Sequence, residues 1–167
     1  MKLAQCIILD LLKDYDPVPI LPETCDFHFS GVQLLDQDNP TDDPSILYIG
    51  TTTQISSFDT EKLKDFCIIC IGKKEDVSSY IENYQANLIL IPENHSLASV
   101  VNTLYTGFHR ILRWDAELQN AILSKQNYQS LFSIGGRFFG KNVMLMVNSS
   151  YNVIGANLLE APVHEKL

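Results

Sequence analysis

The chain has 167 residues, of which 46% are hydrophobic, and its formal net charge is −8. Its 12 lysines and arginines stand against 20 aspartates and glutamates, which argues against nucleic-acid binding by this chain, because phosphate contacts need a concentrated basic surface. No apolar run approaches the ~20 residues that span a bilayer. The first apolar segment is interrupted by Asp10, and no small-residue cleavage site follows it. We therefore predict a cytoplasmic protein with no membrane contact.

The first 45 residues predict a helix, a strand and a turn. Leucines and isoleucines at helical spacing predict a helix over residues 3–14, which ends near Tyr15 because three prolines follow. Residues 27–35 predict a strand in which Gly31 marks a bulge or a bend. Residues 36–44 are rich in Asn, Asp and Pro and predict a turn.

Strand and helix patterns alternate between residues 46 and 92. Each predicted strand is apolar at successive positions, which is typical of strands buried on both faces of a parallel sheet. The helices between them supply the crossovers. The sequence therefore predicts an α/β fold, with a small, mostly parallel sheet and flanking helices, over residues 1–95. The strands are 46–50, 66–71 and 87–92, and the helices are 59–64 and 74–85.

A Cys-x-x-Cys pair, Cys67 and Cys70, lies inside one of these strands. Residues i and i+3 of a strand point to opposite faces, so the two thiols cannot share a metal or form a disulfide. No other Cys or His pair stands at zinc-site spacing. We expect buried structural cysteines and no metal. The four cysteines of the chain show no framework spacing, which fits a reducing compartment.

Residues 96–127 contain no proline and a single glycine, and they predict one helix of about 48 Å. Apolar side chains recur in it every seven residues, although Asp115 and Lys125 interrupt the repeat. Such a repeat favours packing along a partner helix, here in a homodimer. The alternative is a helix that lies across its own domain. The predicted dimer interface consists of Leu97, Val101, Leu104, Phe108, Ile111, Leu118 and Ile122.

The last segment predicts the beginning of a further domain. Residues 131–142 predict a short helix and a glycine-rich turn, and residues 143–147 and 153–157 predict a β-hairpin. A lone hairpin is marginal in water and needs more structure to pack on. We therefore divide the chain into an α/β domain (1–95), a linker and dimerisation helix (96–130) and an incomplete second domain (131–167).

The predicted sheet places three polar loops at one edge. Ligands of open α/β sheets bind beyond the carboxyl ends of the strands, and the loops there are residues 50–53, 72–74 and 92–95. Their hydroxyl, ammonium, carboxylate and imidazole groups suit a small anionic or polar ligand. The alternative is that Lys73 is a solvated residue that opens a helix and that His95 starts another. The candidate ligand-binding residues are Thr51, Thr52, Lys73, Glu93 and His95.

Catalytic machinery is not evident in the sequence. No serine lies in a Gly-x-Ser-x-Gly elbow, and residues 72–74 do not form a P-loop, because the upstream glycine and the following hydroxyl are missing. Trp114 and Phe108 could form a cofactor-stacking pair, but at helical spacing they are more typical of a core or an interface. We expect no catalytic residues and no cofactor.

This order of parts resembles the N-terminal region of PucR-type bacterial transcription regulators, the purine-catabolism-regulator-like group. The strand 46–50 and the strand 87–92, which ends in Pro and leads into a long helix, carry the resemblance. Residues 113–118 (RWDAEL) are similar to an aromatic-Trp-x-x-x-Leu element without its first aromatic residue. The hairpin 142–157 is similar to the first hairpin of a PAS- or GAF-like domain.

The resemblance implies a signal-sensing and dimerising region. It implies a small-molecule or protein signal, a homodimer, and a helix-turn-helix beyond Leu167 that alone would contact DNA. One alternative is a stand-alone small-molecule-binding α/β protein or small enzyme, which predicts convergent polar groups and a shifted pKa at the strand ends. Another is a ligand-free interaction scaffold, which predicts strand-end loops that are packed shut.

Overall fold

The computed structural model of the chain describes residues 2–20, 27–36, 43–57, 66–78, 81, 87–139 and 144–157. The chain divides into two compact units, Met1–Phe108 and His109–Leu167. Within the described ranges, no helix has the length and apolar character that crossing a membrane requires.

The first unit alternates short strands and helices. Its strands are β1 (Leu3–Ala4), β2 (Val18–Ile20), β3 (His28–Phe29), β4 (Gly31–Leu34), β5 (Ile46–Thr51), β6 (Cys67–Ile71) and β7 (Asn87–Ile91). Its helices are α1 (Gln5–Leu11), α2 (Thr52–Ser57) and the start of α3 (Leu97–Leu123), with 3₁₀ turns at Lys13–Tyr15 and Lys74–Val77.

A five-stranded sheet organises this unit, in the order β2-β7-β6-β5-β4. The pairs β4–β5, β5–β6 and β6–β7 are parallel, and β2 is antiparallel to β7 at one edge. The predicted α/β fold with a mostly parallel sheet is therefore confirmed. The four parallel strands follow chain order across the sheet. Because this order does not reverse, it contains no topological switch point among the described strands.

The two faces of the sheet bury different sets of side chains. One face carries Tyr48, Ile68, Cys70 and Leu88, which cluster with Ile55 of α2 and with other buried residues. The opposite, odd-numbered positions of β5, β6 and β7 are also buried except Thr51, as are apolar residues of α1 and α3. Cover on both faces explains why these strands are apolar at successive positions. The set outside the cluster includes Ile8, Leu12, Leu47, Ile49, Cys67, Ile69, Ile89, Ile91, Val100 and Leu104.

The N-terminal half of the unit differs from the prediction in three ways. The predicted helix 3–14 is shorter, because β1 precedes it and a 3₁₀ turn follows it. The predicted strand 27–35 bends at Ser30, where β3, which pairs with β1, gives way to β4, which pairs with β5. Strand β2 was not predicted at all, because Pro19 lies at its centre. Proline is tolerated there because β2 is an edge strand.

The segments between the strands are only partly described. The predicted helix 59–64 lies outside the described residues. Of the predicted helix 74–85, the described part begins as the 3₁₀ turn Lys74–Val77. Helix α2 was not predicted, because residues 51–53 were interpreted as a loop after a strand.

The second unit contains the end of α3, helix α4 (Tyr128–Phe139) and the strands β8 (Met144–Val147) and β9 (Val153–Asn157). The strands pair antiparallel, so the predicted hairpin is confirmed. Its turn is held by Asn148, whose Oδ1 accepts hydrogen bonds from the backbone N–H of Ser150 (3.0 Å) and of Asn152 (2.9 Å). The predicted glycine-rich turn is wrong for Gly135 and Gly136, which are buried inside α4.

Candidate functional site

The carboxyl ends of β5, β6 and β7 lie at one edge of the sheet, because these strands are parallel. A backbone hydrogen bond joins the ends of β6 and β7: the Gly72 N–H donates to the Ile91 carbonyl at 3.0 Å. The structure therefore brings the three predicted loops to one edge, and the question is which of their polar groups remain available to a ligand.

Thr51 caps helix α2 with its backbone N–H and its side-chain hydroxyl. Its backbone N–H donates to Gln54 Oε1 at 2.9 Å, and the Gln54 N–H donates to Thr51 Oγ1 at 3.3 Å. This reciprocal pair is a capping box, which satisfies amide groups at the helix start. Gln54 Nε2 also donates to the Leu35 carbonyl at 3.2 Å and so fixes the helix start to the end of β4. The Thr-x-x-Gln spacing of residues 51–54 could have revealed this helix from sequence.

Thr52 is buried against Gly72. Thr52 is only 9% exposed, and a Cβ added at Gly72 would lie 2.3 Å from its Cγ2 and 2.6 Å from its Oγ1. The threonine side chain therefore fills the space beside the glycine backbone. This packing, rather than ligand contact, explains the threonine at this position.

Lys73 and Glu93 form an ion pair between two of the loops. Lys73 Nζ lies 3.2 Å from Glu93 Oε1, and the two side chains are 57% and 62% exposed. The hydrogen bond to Glu93, followed by the Glu93 charge, raises the pKa of Lys73. A lysine that acts as a base or nucleophile needs the opposite, a lowered pKa. The pair is therefore a surface link between the loops rather than a tuned chemical group.

His95 packs on an aromatic residue from the N-terminal segment. Its ring lies edge-on to Tyr15, with 5.0 Å between the ring centroids. The Tyr15 hydroxyl in turn lies 2.8 Å from Ser99 Oγ and 2.7 Å from Thr103 Oγ1, both on α3. Sequence reasoning did not place Tyr15 at this end of the helix. His95 thus contributes to the junction between the 3₁₀ turn and α3.

The candidate ligand-binding residues are brought to one edge, but each of them already makes a contact within the chain. They form a helix cap, a packed threonine–glycine contact, an ion pair and a ring contact. Of these five side chains, only those of Lys73 and Glu93 are exposed, so they are the groups most accessible to a ligand at the outer surface of this edge.

The predicted dimer interface is partly covered within a single chain. Leu104, Phe108 and Ile111 are 0%, 6% and 4% exposed. Leu97, Val101 and Leu118 are half-buried, and Ile122 is 62% exposed. Burial of the central three is what the alternative interpretation, a helix across its own domain, expects. The homodimer itself stays a prediction.

A close approach between α1 and α3 explains part of this burial. A Cβ added at Gly107 would lie 2.6 Å from Leu11 Cδ1 and 2.7 Å from Cδ2. The single glycine of the long helix therefore lets Leu11 pack directly on the α3 backbone. The Tyr105 hydroxyl also donates to the Val32 carbonyl of β4 at 3.4 Å. The first half of α3 is thus fastened to its own α/β unit.

Cys67 and Cys70 point to opposite faces of β6, as predicted, since Cys70 belongs to the Tyr48 cluster and Cys67 does not. Both are fully buried. Burial, with a smaller contribution from the Asp76 charge, raises the pKa of the Cys70 thiol to about 12. A thiol that stays protonated at neutral pH is neither a nucleophile nor a metal ligand. Within the described ranges, no group of three or more His, Cys, Asp or Glu side chains could hold a metal ion.

Comparison with known proteins gives no relative: no family model, no curated protein and no solved structure matches the chain.

Proposed function

We propose that the chain is the signal-receiving and dimerising region of a cytoplasmic bacterial transcription regulator. One observation carries the proposal: a single helix of 27 residues, α3, contributes to both the α/β unit and the unit that contains the hairpin. A continuous helix can pass a change at its first half to its second half without a flexible linker. The order of sheet, long helix, short helix and hairpin also agrees with the order that the resemblance to PucR-type regulators implies.

The second half of α3 carries the apolar surface that the proposed dimer would use. Leu112, Ala116 and Leu123 are exposed, with 39% and 79% exposure for the two leucines. Their spacings of four and seven residues place them on one face of the helix. Leu112 and Leu123 each follow a residue of the predicted interface, Ile111 and Ile122, by one position, so this face is rotated about the helix axis from the predicted one. We propose that a second copy of the chain packs on it, because a heptad-like spacing of apolar residues suits an identical partner helix.

Replacing Leu112 by glutamate is expected to convert the proposed dimer into a folded monomer. Leu112 is 39% exposed, so a glutamate there can reach solvent in a single chain, whereas its charge opposes burial against a second helix. Sedimentation velocity would give the mass, and circular dichroism would give the helix content.

Thr106→Glu is the matched control, because Thr106 is exposed on a different side of α3. This variant should remain dimeric. A wild-type chain that sediments as a monomer would contradict the proposed dimer, and equal masses for wild type and Leu112→Glu would contradict the proposed face.

The regulator part of the proposal is tested by the natural reading frame. We expect it to continue past Leu167 through the rest of a PAS- or GAF-like domain and into a basic helix-turn-helix. Sequencing the genomic locus would decide this. A stop codon directly after Leu167 would contradict a regulator with its DNA-binding element in the same chain.

A ligand-free interaction scaffold is the second candidate, and the strand-end loops favour it. Thr51 caps α2, Thr52 packs on Gly72, and Lys73 pairs with Glu93. Loops closed in this way are what a scaffold requires. Both candidates use α3 as the working surface, but only the regulator needs further domains.

A further inference from the structure

The three arginines of the chain gather in one place. Arg110 and Arg113 lie one helical turn apart on α3, whereas Arg137 lies on α4, and all three line a cavity of about 210 Å³ in the second unit, between these two helices. The chain as a whole carries a net charge of −8, so this concentration of positive charge runs against its composition. The other lining residues are Trp114, Glu117, Ile134 and Phe138.

Two of the arginines share a single carboxylate. Arg113 Nε donates to Glu117 Oε1 at 3.1 Å, and Arg137 Nη2 donates to Glu117 Oε2 at 3.0 Å. Arg113 precedes Glu117 by one helical turn, whereas Arg137 reaches it from α4. One carboxylate therefore bridges the two guanidinium groups.

The third arginine, Arg110, packs over the ring of Phe138. Arg110 Cζ is 5.8 Å from the centroid of the Phe138 ring, and Phe138 stacks on Trp114 with 4.4 Å between the ring centroids. A guanidinium that packs over an aromatic face can still donate N–H groups to an anion.

The cavity lined by the three arginines, called the arginine pocket below, carries enough net positive charge to bind a dianion. Three guanidinium groups and one carboxylate give a local charge of +2. Each guanidinium has five N–H donors, and the ion pairs of Arg113 and Arg137 with Glu117 use one donor from each. The side chains of Arg113 and Arg137 are 82% and 66% exposed, so a solute can reach them. A phosphate monoester carries nearly two negative charges at neutral pH, and its oxygens match the fork of arginine.

A larger cavity adjoins the arginine pocket and shares Glu117, Ile134 and Arg137 with it. Its volume is about 650 Å³, and side-chain amides and hydroxyls from Asn120, Gln126, Asn127, Ser130 and Ser133 contribute to its lining. Volumes of this size are typical of small-molecule sites. We propose that the arginine pocket binds the phosphate group of a small polar phosphate monoester, whose body lies in the amide-lined cavity. This proposal does not rest on the proposed regulator function.

A purely structural role for the same residues makes a different prediction. If Glu117 only ties α4 to α3, removing its charge would loosen the pocket and weaken any anion binding. If the pocket is a phosphate site, Glu117 competes with the ligand for two guanidinium groups. Removing its charge while keeping its shape, in Glu117→Gln, should then strengthen binding.

Isothermal titration of the full chain at low ionic strength, with a hexose phosphate and with inorganic phosphate, tests the proposal. We expect the hexose phosphate to bind more tightly than inorganic phosphate, since only the ester has a body for the amide-lined cavity. Arg137→Gln and Arg110→Gln should each weaken the affinity by about tenfold, the effect of losing a charge-assisted hydrogen bond. Glu117→Gln should strengthen it by about threefold.

Lys74→Gln is the control, because it removes the same charge from an exposed residue of the other unit, and it should bind like the wild type. No heat of binding for either compound at millimolar concentration would overturn the proposal. So would equal losses in Lys74→Gln and Arg110→Gln, or weaker binding by a folded Glu117→Gln. Equal affinities for the two phosphates would overturn the assignment of the amide-lined cavity.

Discussion

Replacing Gly72 by alanine is expected to destabilise the α/β unit by about 2–6 kcal/mol, the sum of backbone strain and overpacking. Gly72 has φ +152°, a conformation that L side chains rarely adopt. The new methyl group would also lie 2.3 Å from Thr52 Cγ2 and 3.0 Å from its Cβ. The threonine is attached at the first residue of α2 and has little room to withdraw, so either α2 or the end of β6 must shift.

Urea denaturation of the wild type and the variant would measure this loss of stability. Gly31→Ala is the matched control, because its Cβ would meet only the end of the Ile46 side chain, at 3.3 Å. The double variant Gly72→Ala/Thr52→Ser removes Cγ2 but keeps the hydroxyl oxygen and Cβ of residue 52, so it should recover part of the steric loss and leave the backbone part. Equal midpoints for Gly72→Ala and the wild type would contradict the threonine–glycine contact.

The central strands could be predicted from sequence because the signal is local and strong. Strand β6 is apolar at every position, and β5 and β7 are apolar over most of their length. Burial on both faces accounts for that pattern. The opposite orientation of Cys67 and Cys70 follows from strand geometry alone. The long helix was predicted for the same kind of reason, since residues 97–123 contain no breaker other than Gly107.

The elements that were missed depend on context that a local pattern does not contain. Proline normally argues against a strand, and Val18–Ile20 becomes one only because it lies at the edge of the sheet. Glycines normally end helices, yet Gly135 and Gly136 lie inside α4, where both are buried. In each case the tertiary environment overrides the propensity of the residue.

For the strand-end loops and the arginine pocket as well, the sequence shows what neighbouring residues determine but not what distant residues contribute. Sequence placed the three strand-end loops at one edge but could not show that the chain itself engages their hydroxyls and charges. The Thr-x-x-Gln spacing was the one local signal for that outcome. The arginine pocket carries no sequence motif, because Arg137 joins Arg110 and Arg113 only when α4 lies beside α3.

The last prediction separates a helix packed on its own chain from a helix that needs a partner. Phe108 lies in the predicted dimer interface, and a dimer held there would dissociate into folded monomers when Phe108 is replaced by aspartate. The structure buries this side chain in one copy of the chain, with 6% exposure. We therefore expect Phe108→Asp to unfold the protein rather than only dissociate it.

The size of the effect follows from two costs. Removing a buried phenylalanine side chain costs about 3–5 kcal/mol, and a buried, unpaired carboxylate adds a further penalty. Together they approach the ~5–15 kcal/mol that holds a typical domain folded. Circular dichroism should show loss of helix in Phe108→Asp, while Leu112→Glu, at an exposed position four residues later, keeps it. A dimeric wild type together with a folded, monomeric Phe108→Asp would instead contradict the expected unfolding and place Phe108 in the dimer interface, which would then follow the original seven-residue repeat.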